Sequence, residues 1–358
     1  MDFTWSEEQR AIRELAEEVL SAHLDASDFS GAYFARRLYA ELARTELLRV
    51  ELSIERGGMG LGLLESLLVL RQAARHAAPT PLRDTIVMAL PLLENLGDFE
   101  QGDDLLRSIV QGETVVALAL HEPSGSGLSA PRTRAERADS VWLLSGEKTA
   151  ASYVDDAQGL IVLAQTPEGP ALFLAGGCAA QRQRGTHDAP LWSLRFERTP
   201  AQLLTSDQEV LGGFERRFHL ALCAELLGFA EAALEMTADY LKEREQFGVP
   251  IGSFQAVSQR VADAFIALET MCVTLWRAAW LEDQGRGSAQ AVRSARYVCA
   301  QGAHQVVSAA QHLHGGMGFD RDYPLHRYFL GVKAIEYLEG GAAAQLERLG
   351  DLIAQEVS

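Results

Sequence analysis

From Phe214 to the C-terminus, apolar side chains recur every three or four residues almost without a break, and this constrains the chain more than any other feature. Val257, Val261, Ala264, Phe265, Leu268, Cys272, Leu275 and Ala279 form one stripe; Val298, Gly302, Val306, Ala309 and Leu313 form another. A stripe of this period buries one face of an α-helix. Phe214 to Lys242 is a further long helical segment, rich in Ala, Leu and Glu. Gln284-Gly285-Arg286-Gly287-Ser288 is a short loop between two such segments, so the helices it joins run antiparallel, and four of them make a bundle over 209–358.

The first 112 residues carry the same period in shorter pieces. Ser6-Glu7-Glu8-Gln9 has the form of a capping box and precedes Ile12, Leu15, Ala16, Val19 and Leu20 on one helical face. Further helices are expected over 32–48, 63–76, 85–96 and 103–110, with the glycines of 57–62 as a break. The texture changes at Gly112. Thr114 to Leu120 is a short apolar run ending in proline and small residues, and Val141 to Leu144 stops at a hairpin-like Ser145-Gly146 turn. With 159–164 and 171–175 as further strands, a small β domain, barrel or sandwich, is expected over 113–208. The fold class is therefore mainly α with a central β insert, in three domains at 1–112, 113–208 and 209–358.

A chain of 358 residues, 47% of them hydrophobic, has the core for two or three such parts. A net charge of −17 argues against nucleic acid or an anionic membrane as a partner. No run approaches 18 apolar residues and MDFTWSEEQR is acidic, so neither a membrane span nor a signal peptide is expected, and a cytoplasmic location is. Cys178, Cys223, Cys272 and Cys299 lack CxxC spacing and read as buried small hydrophobes. His312 and His314 have no third ligand at helical spacing, so no metal is expected.

The chemistry concentrates between Gln311 and Arg348. Gly315, Gly316 and Gly318 mark a helix exit, Tyr323-Pro324 a restart, and Glu339-Gly340-Gly341 interrupts the helical run that follows. Glu339 thus sits where a helix breaks, with glycine leaving room beside it for a flat ligand. Upstream, Arg244 is a fork of donors that suits either a pyrophosphate or a salt bridge at a helix end.

Arg244-Glu245-Gln246-Phe247-Gly248-Val249-Pro250-Ile251, then Phe254-Gln255 and Ala262-Asp263, together with GGMGF and the following Tyr323-Pro324, resemble the acyl-CoA dehydrogenase family of flavoproteins. The likeness covers nearly the whole chain in architecture, and its specific motifs lie in the C-terminal third. It implies FAD as cofactor, an acyl-CoA thioester as substrate, and electron-transfer flavoprotein as electron acceptor. It also implies a homo-oligomer, dimer or tetramer, or a hetero-oligomer with a related chain. Glu339 falls at the offset of the family's base. By resemblance it abstracts the α proton while hydride passes to flavin N5, and its own N–H helps polarise the thioester carbonyl. A carboxylate can do this if the thioester oxygen is hydrogen-bonded and its own affinity for protons is raised by desolvation, for which Ile335, Tyr337 and Leu338 suggest an apolar neighbourhood.

The same resemblance implies that Arg244, Gln246 and Phe247 hold the pyrophosphate and adenosine of a neighbouring subunit's FAD, which Gln311 and Gly315 meet from another helix. His121 and Ser152 are implied on the flavin, and Ser126, Gly340 and Arg217 on the acyl-CoA side. Departures are plain. LHEPSGSG stands for the family's TEPxAGSD, so His121 replaces a threonine; TAAS stands for WIT or WIS, so Ala150 replaces a tryptophan. Gly341 replaces a threonine, only Lys333 remains of an RDAK stretch, and the arginine that often positions the base has Arg217 and His219 as candidates. Two alternatives stay open: a non-catalytic or flavin-sharing subunit of a mixed assembly, and an acyl-CoA oxidase on the same fold.

Overall fold

The computed structural model describes residues 3–29, 33–96, 102–123, 125, 128, 130–187 and 189–357. Five helices come first: α1 (Glu7–His23), α2 (Arg36–Arg44), α3 (Leu63–Arg75), α4 (Leu90–Asn95) and α5 (Gly102–Val110). Strands β1 (Val115–Ala119), β2 (Arg134–Ala138), β3 (Val141–Ser152), β4 (Ala157–Thr166), β5 (Gly169–Ala175), β6 (Ala179–Arg184) and β7 (Pro190–Thr205) follow. The rest comprises α6 (Gln208–Glu243), a two-stranded hairpin β8 (Glu245–Gln246) and β9 (Val249–Pro250), α7 (Gln255–Asp283), α8 (Ala289–His314), α9 (Leu325–Glu336) and α10 (Gly341–Val357). The mainly helical chain with a central β insert is thus as expected. Its residues fall into two compact units, one of 14–66 and 79–218, the other of 1–13, 67–78 and 219–358.

In the first unit the helix expected over 32–48 ends early. Leu38, Tyr39, Leu42 and Ala43 bury one face of α2, but Leu47 and Leu48 are both buried as well, and adjacent positions cannot share one helical face. Glu46 takes a left-handed φ of 66° and a short 3-10 turn, Leu47–Arg49, re-aims the pair. The helix leading into α4 opens with a π-helical turn at Arg83–Ala89, in which every residue from Asp84 to Ala89 is buried.

The seven strands form one sheet: six follow the order β1-β4-β2-β3-β7-β5, β6 pairs with β7 off this path, and β5 also pairs with β4, so five of them close on themselves. Leu144, Val162, Phe173, Trp192, Leu194 and Phe196 fill the interior. The hairpin-like turn expected at Ser145-Gly146 does not form, because β3 runs straight through it to Ser152. Gly146 has φ +149°, and a Cβ there would lie 2.7 Å from the Thr133 Cα; the glycine lets a neighbouring strand close in. Strands β2, β6 and β7 were not expected: β6 is exposed along its length and β2 and β6 both carry charge, so neither of those two shows an apolar run.

In the second unit, α7 packs on α8, and α8 also packs on α9 and α10. Ser6 and Gln9 form the expected capping box, with Gln9 N–H to Ser6 Oγ at 3.1 Å and Ser6 N–H to Gln9 Oε1 at 3.0 Å. Trp5 meets Trp276 edge to face at 4.9 Å. Two expectations need correction. Phe265 belongs by spacing to the buried stripe of α7 but is 54% exposed, the helix burying Ala264, Leu268, Met271 and Leu275 instead. Cys223 and Cys299 are buried, whereas Cys178 and Cys272 are only half-buried. Among the described residues, α7 is the one helix long and apolar enough to cross a membrane, though part of that stretch packs inside the unit.

Candidate functional site

Glu339 lies in the single 3-10 turn, Leu338–Gly340, that separates α9 from α10. Its backbone is left-handed, φ 60° and ψ 29°, a conformation uncommon for a residue with a side chain. Gly340 follows at φ +87°, where a Cβ would come within 2.5 Å of the Ala344 Cβ, so the turn requires glycine there. The Glu339 side chain is only 3% exposed and pairs with Arg348 of α10 at 3.2 Å. Of the apolar neighbourhood expected around it, Ile335 is buried, whereas Tyr337 turns outward and is 66% exposed.

The carbonyls of Ile335, Leu338 and Glu339 each accept from a side chain of another helix, while Tyr337 O accepts from the Gly340 N–H at 3.0 Å. Arg296 of α8 donates from Nη2 to Ile335 O at 2.8 Å and Leu338 O at 3.0 Å, and Gln345 of α10 donates to Glu339 O at 2.8 Å. Gln345 Oε1 in turn accepts from Arg293 Nη1 at 2.9 Å, and the same nitrogen lies 2.7 Å from His219 Nε2. His219 is therefore connected to the Glu339 turn. Arg217, in the other unit, is committed to a salt bridge with Glu51 and donates from Nε to Val87 O at 2.6 Å.

A second cluster lies at the end of α6. Phe247 and Gly248 both have positive φ, 56° and 81°, the geometry of a tight two-residue hairpin between β8 and β9. This turn projects Phe247, 95% exposed, with Arg244 and Gln246 exposed beside it. Tyr240, whose carbonyl accepts from Arg244 N–H at 2.9 Å, stacks on His314 at 4.4 Å. His314 immediately precedes Gly315, so the stack ties the Arg244 segment to the end of α8 that carries Gln311 and Gly315. Gln311 is half-buried and Gly315 exposed. Burial holds the His314 imidazole below its ordinary pKa, in keeping with a neutral ring that lies 3.1 Å from the Tyr323 hydroxyl.

In the β unit, His121 follows β1, with its ring 5.7 Å from that of Phe218. Its carbonyl accepts from Thr149 N–H at 2.9 Å, which brings it beside the stretch of β3 that ends in Ser152. The register of β3 against β7 shifts between Lys148 and Ala151, and Ala150 has φ 54°, so a bulge stands where the resemblance puts a tryptophan. Glu122 anchors this region: it accepts from Arg132 N–H, Thr133 N–H, Thr133 Oγ and Lys148 Nζ, each at 2.8 Å. Burial works to raise its pKa, and those donors with the Lys148 charge more than offset it, to about 2. Ser126 lies outside the described residues.

Arg296, Arg348, Gln345 and Lys148 were not anticipated. Arg296 left a signal, since Val292, Ala295, Cys299 and Ala303 make its face of α8 apolar, and a lone arginine inside such a stripe has to find a buried partner. No group of three or more His, Cys, Asp or Glu side chains that could hold a metal ion occurs among the described residues.

Residues 6–113 match the family description "Acyl-CoA dehydrogenase, N-terminal domain" and residues 215–353 match "Acyl-CoA dehydrogenase, C-terminal domain". Acyl-CoA dehydrogenase FadE27 of Mycobacterium tuberculosis is 31% identical, with 99% of each chain covered. Among solved structures, a variant of the Tcur3481-Tcur3483 steroid ACAD superposes with a TM-score of 0.92 at 39% identity, over 98% of this chain and 99% of that one. The ChsE4-ChsE5 complex from Mycobacterium tuberculosis gives a TM-score of 0.92 at 31% identity, over 99% of each chain. Two domain matches that leave only the β insert between them, and relatives aligned from end to end, make one conclusion: this chain belongs to the acyl-CoA dehydrogenase family.

Proposed function

We propose that the chain serves the FAD-dependent α,β-dehydrogenation of an acyl-CoA thioester, with Glu339 as the group that removes the α proton. The observation that carries this reading is the carboxylate itself, 97% withdrawn from solvent at a helix break and flanked by a glycine that the turn requires. A dry carboxylate on a fixed turn is placed to act as a base on a carbon acid once a thioester displaces Arg348 from it.

The residues present fit a dinucleotide at one end and are changed at the other. Arg244, Gln246 and Phe247 stand exposed on a hairpin beside the Gly315 turn, where they would hold the pyrophosphate and adenosine of FAD. His121 and Ser152 would meet the ring from the β unit, without the large aromatic surface that Ala150 replaces. When bound, the flavin supplies the acceptor for the β hydrogen. The chain itself contributes the α-proton acceptor and, through Ser126, Gly340 and the N–H of Glu339, contacts to the thioester. Electrons then pass to an electron-transfer flavoprotein, in the cytoplasm. A hairpin this exposed completes its site only against a second chain, and Phe265 and Ile266 of α7 offer that chain an apolar surface.

The Glu339→Gln variant tests the reading. It should purify yellow and folded, with flavin reduction by an acyl-CoA slowed at least about 100-fold. A variant that bleaches as fast as the parent overturns the assignment.

One observation favours a second reading. Glu339 is held by Arg348 and the Ala150 bulge lacks a ring, a combination suited to a subunit that lends its hairpin to a partner's flavin and does no chemistry itself. The two relatives above whose names join two different chains accord with it. Flavin content separates the readings. Near one FAD per chain in the chain purified alone supports the catalytic one. Colourless protein that turns yellow only when co-expressed with a related chain supports the other.

A further inference from the structure

The Glu339 turn is pinned from outside its own helices. Arg296 is fully buried, a costly place for a guanidinium, and burial pushes its pKa down. Its hydrogen bonds all run from Nη2, to the last carbonyls of α9, Ile335 O at 2.8 Å and Glu336 O at 3.4 Å, and to Leu338 O of the turn that follows at 3.0 Å. Those are the carbonyls a helix leaves unsatisfied at its C-terminus, and a cation there matches the helix dipole. One residue further on, Gln345 holds Glu339 O at 2.8 Å and is itself held by Arg293. Leu338 O and Glu339 O belong to the two peptide planes that flank the Glu339 Cα. Fixing both planes fixes φ and ψ of that residue, and with them the direction of its Cα–Cβ bond.

We propose that Arg296, acting with Gln345, is the positioning residue of Glu339: the pair holds the left-handed turn from which the carboxylate is presented to the thioester. The inference rests on reading Glu339 as the base. A helix cap that served stability alone would need only a solvent-side donor to the carbonyls of α9. Here the donor is buried, comes from a different helix, and is matched by a second donor on the other side of the same residue.

The test uses the purified, FAD-containing protein in its native assembly, as Arg296→Met, Arg296→Lys, Gln345→Leu and Glu339→Gln. Hydrogen exchange should quicken about tenfold in 337–342 in Arg296→Met and Gln345→Leu while α8 keeps its protection. The thioester that bleaches the parent fastest, among butyryl-, octanoyl-, isovaleryl- and cyclohexanecarboxyl-CoA, then reports the chemistry. The limiting rate of flavin reduction should fall by about 10- to 100-fold with the half-saturating concentration little changed, and Arg296→Lys should recover much of it. The inference is overturned if 337–342 exchanges as in the parent, or if Glu339→Gln is silent while Arg296→Met and Gln345→Leu reduce at the parental rate. A parental rate in Glu339→Gln instead overturns the reading of Glu339 and leaves Arg296 a helix cap. Should Arg296→Met not fold, Gln345→Leu and Arg296→Lys decide by the same measurements; should no thioester of the four react, the exchange pattern decides.

Discussion

Glu339 and Arg348 form a pair with one dry side and one wet side, 3% and 32% exposed. Removing the arginine leaves a carboxylate with little access to water, so Arg348→Gln should cost about 1–3 kcal/mol in urea unfolding. In a Glu339→Gln background the same change should cost close to nothing, because no charge is left to strand. Equal losses in the two backgrounds would mean that the pair contributes no coupling. Glu122 makes the complementary case. Its pKa, about 2 in the fold against an ordinary 4.5, means that the folded state holds the ionised form more tightly than the unfolded chain does. That stability is fully present above 4.5 and is lost as pH falls from 4.5 toward 2. Its partner Lys148 is pulled down by burial, and the Glu122 carboxylate works against that pull. The urea midpoint should therefore drop across this acid window, and Glu122→Gln should flatten the slope. Side chains of this kind divide by how far apart their partners lie in sequence. Glu339 announces itself through the glycines after it, and Arg296 through the apolar face it interrupts. The bonds from Gln345 and Arg293 depend on the relative rotation of α8 and α10, which no spacing within either helix encodes.

At the scale of elements, the contacts that fix helix positions are as close as backbone allows. A Cβ on Gly228 of α6 would lie 2.4 Å from Arg71 O of α3 and 2.8 Å from the Ala74 Cβ. Neither obstacle is the end of a flexible side chain, so Gly228→Ala must part the two helices. It should cost about 1–3 kcal/mol of stability and loosen the nearby Arg71–Glu231 bridge, 2.6 Å long, as read by thermal unfolding and by exchange in 67–75. An unchanged midpoint would mean that α6 shifts freely. Long helices such as α7 and α8 were legible because burial on one face repeats over many turns. The strands were less so. β7 was missed although it alternates Trp192, Leu194 and Phe196 inward with Arg195 and Glu197 outward, and β2 and β6 lie where charge hides the pattern. Gly146 read as a turn because glycine marks turns and close strand approaches alike, and only the partner strand tells them apart.

For the whole molecule, a net charge of −17 makes copies of the chain repel one another, and burial of apolar surface is one way an assembly offsets that. The candidate surface is the outer face of α7. Phe265 and Ile266 are 54% and 63% exposed, Val273 is exposed about two turns on, and Ile266 borders a groove of about 330 Å³ that also touches Thr270, Val298 and Gln305. A stable contact between chains buries about 800 Å² on each partner, and its centre tolerates an unpaired charge poorly. If two copies meet across a two-fold axis, each substitution is felt twice, and Ile266→Glu would set like charges near one another in a dry seam. The variant should keep the parent's helical content but fall to at most half of its molar mass by light scattering. If the hairpin carrying Phe247 holds the neighbouring chain's FAD, as proposed above, flavin should be lost in step. Phe247→Ala supplies the control, since it should lose flavin while keeping the full mass. If Ile266→Glu keeps both mass and flavin, the α7 face is not where the chains meet.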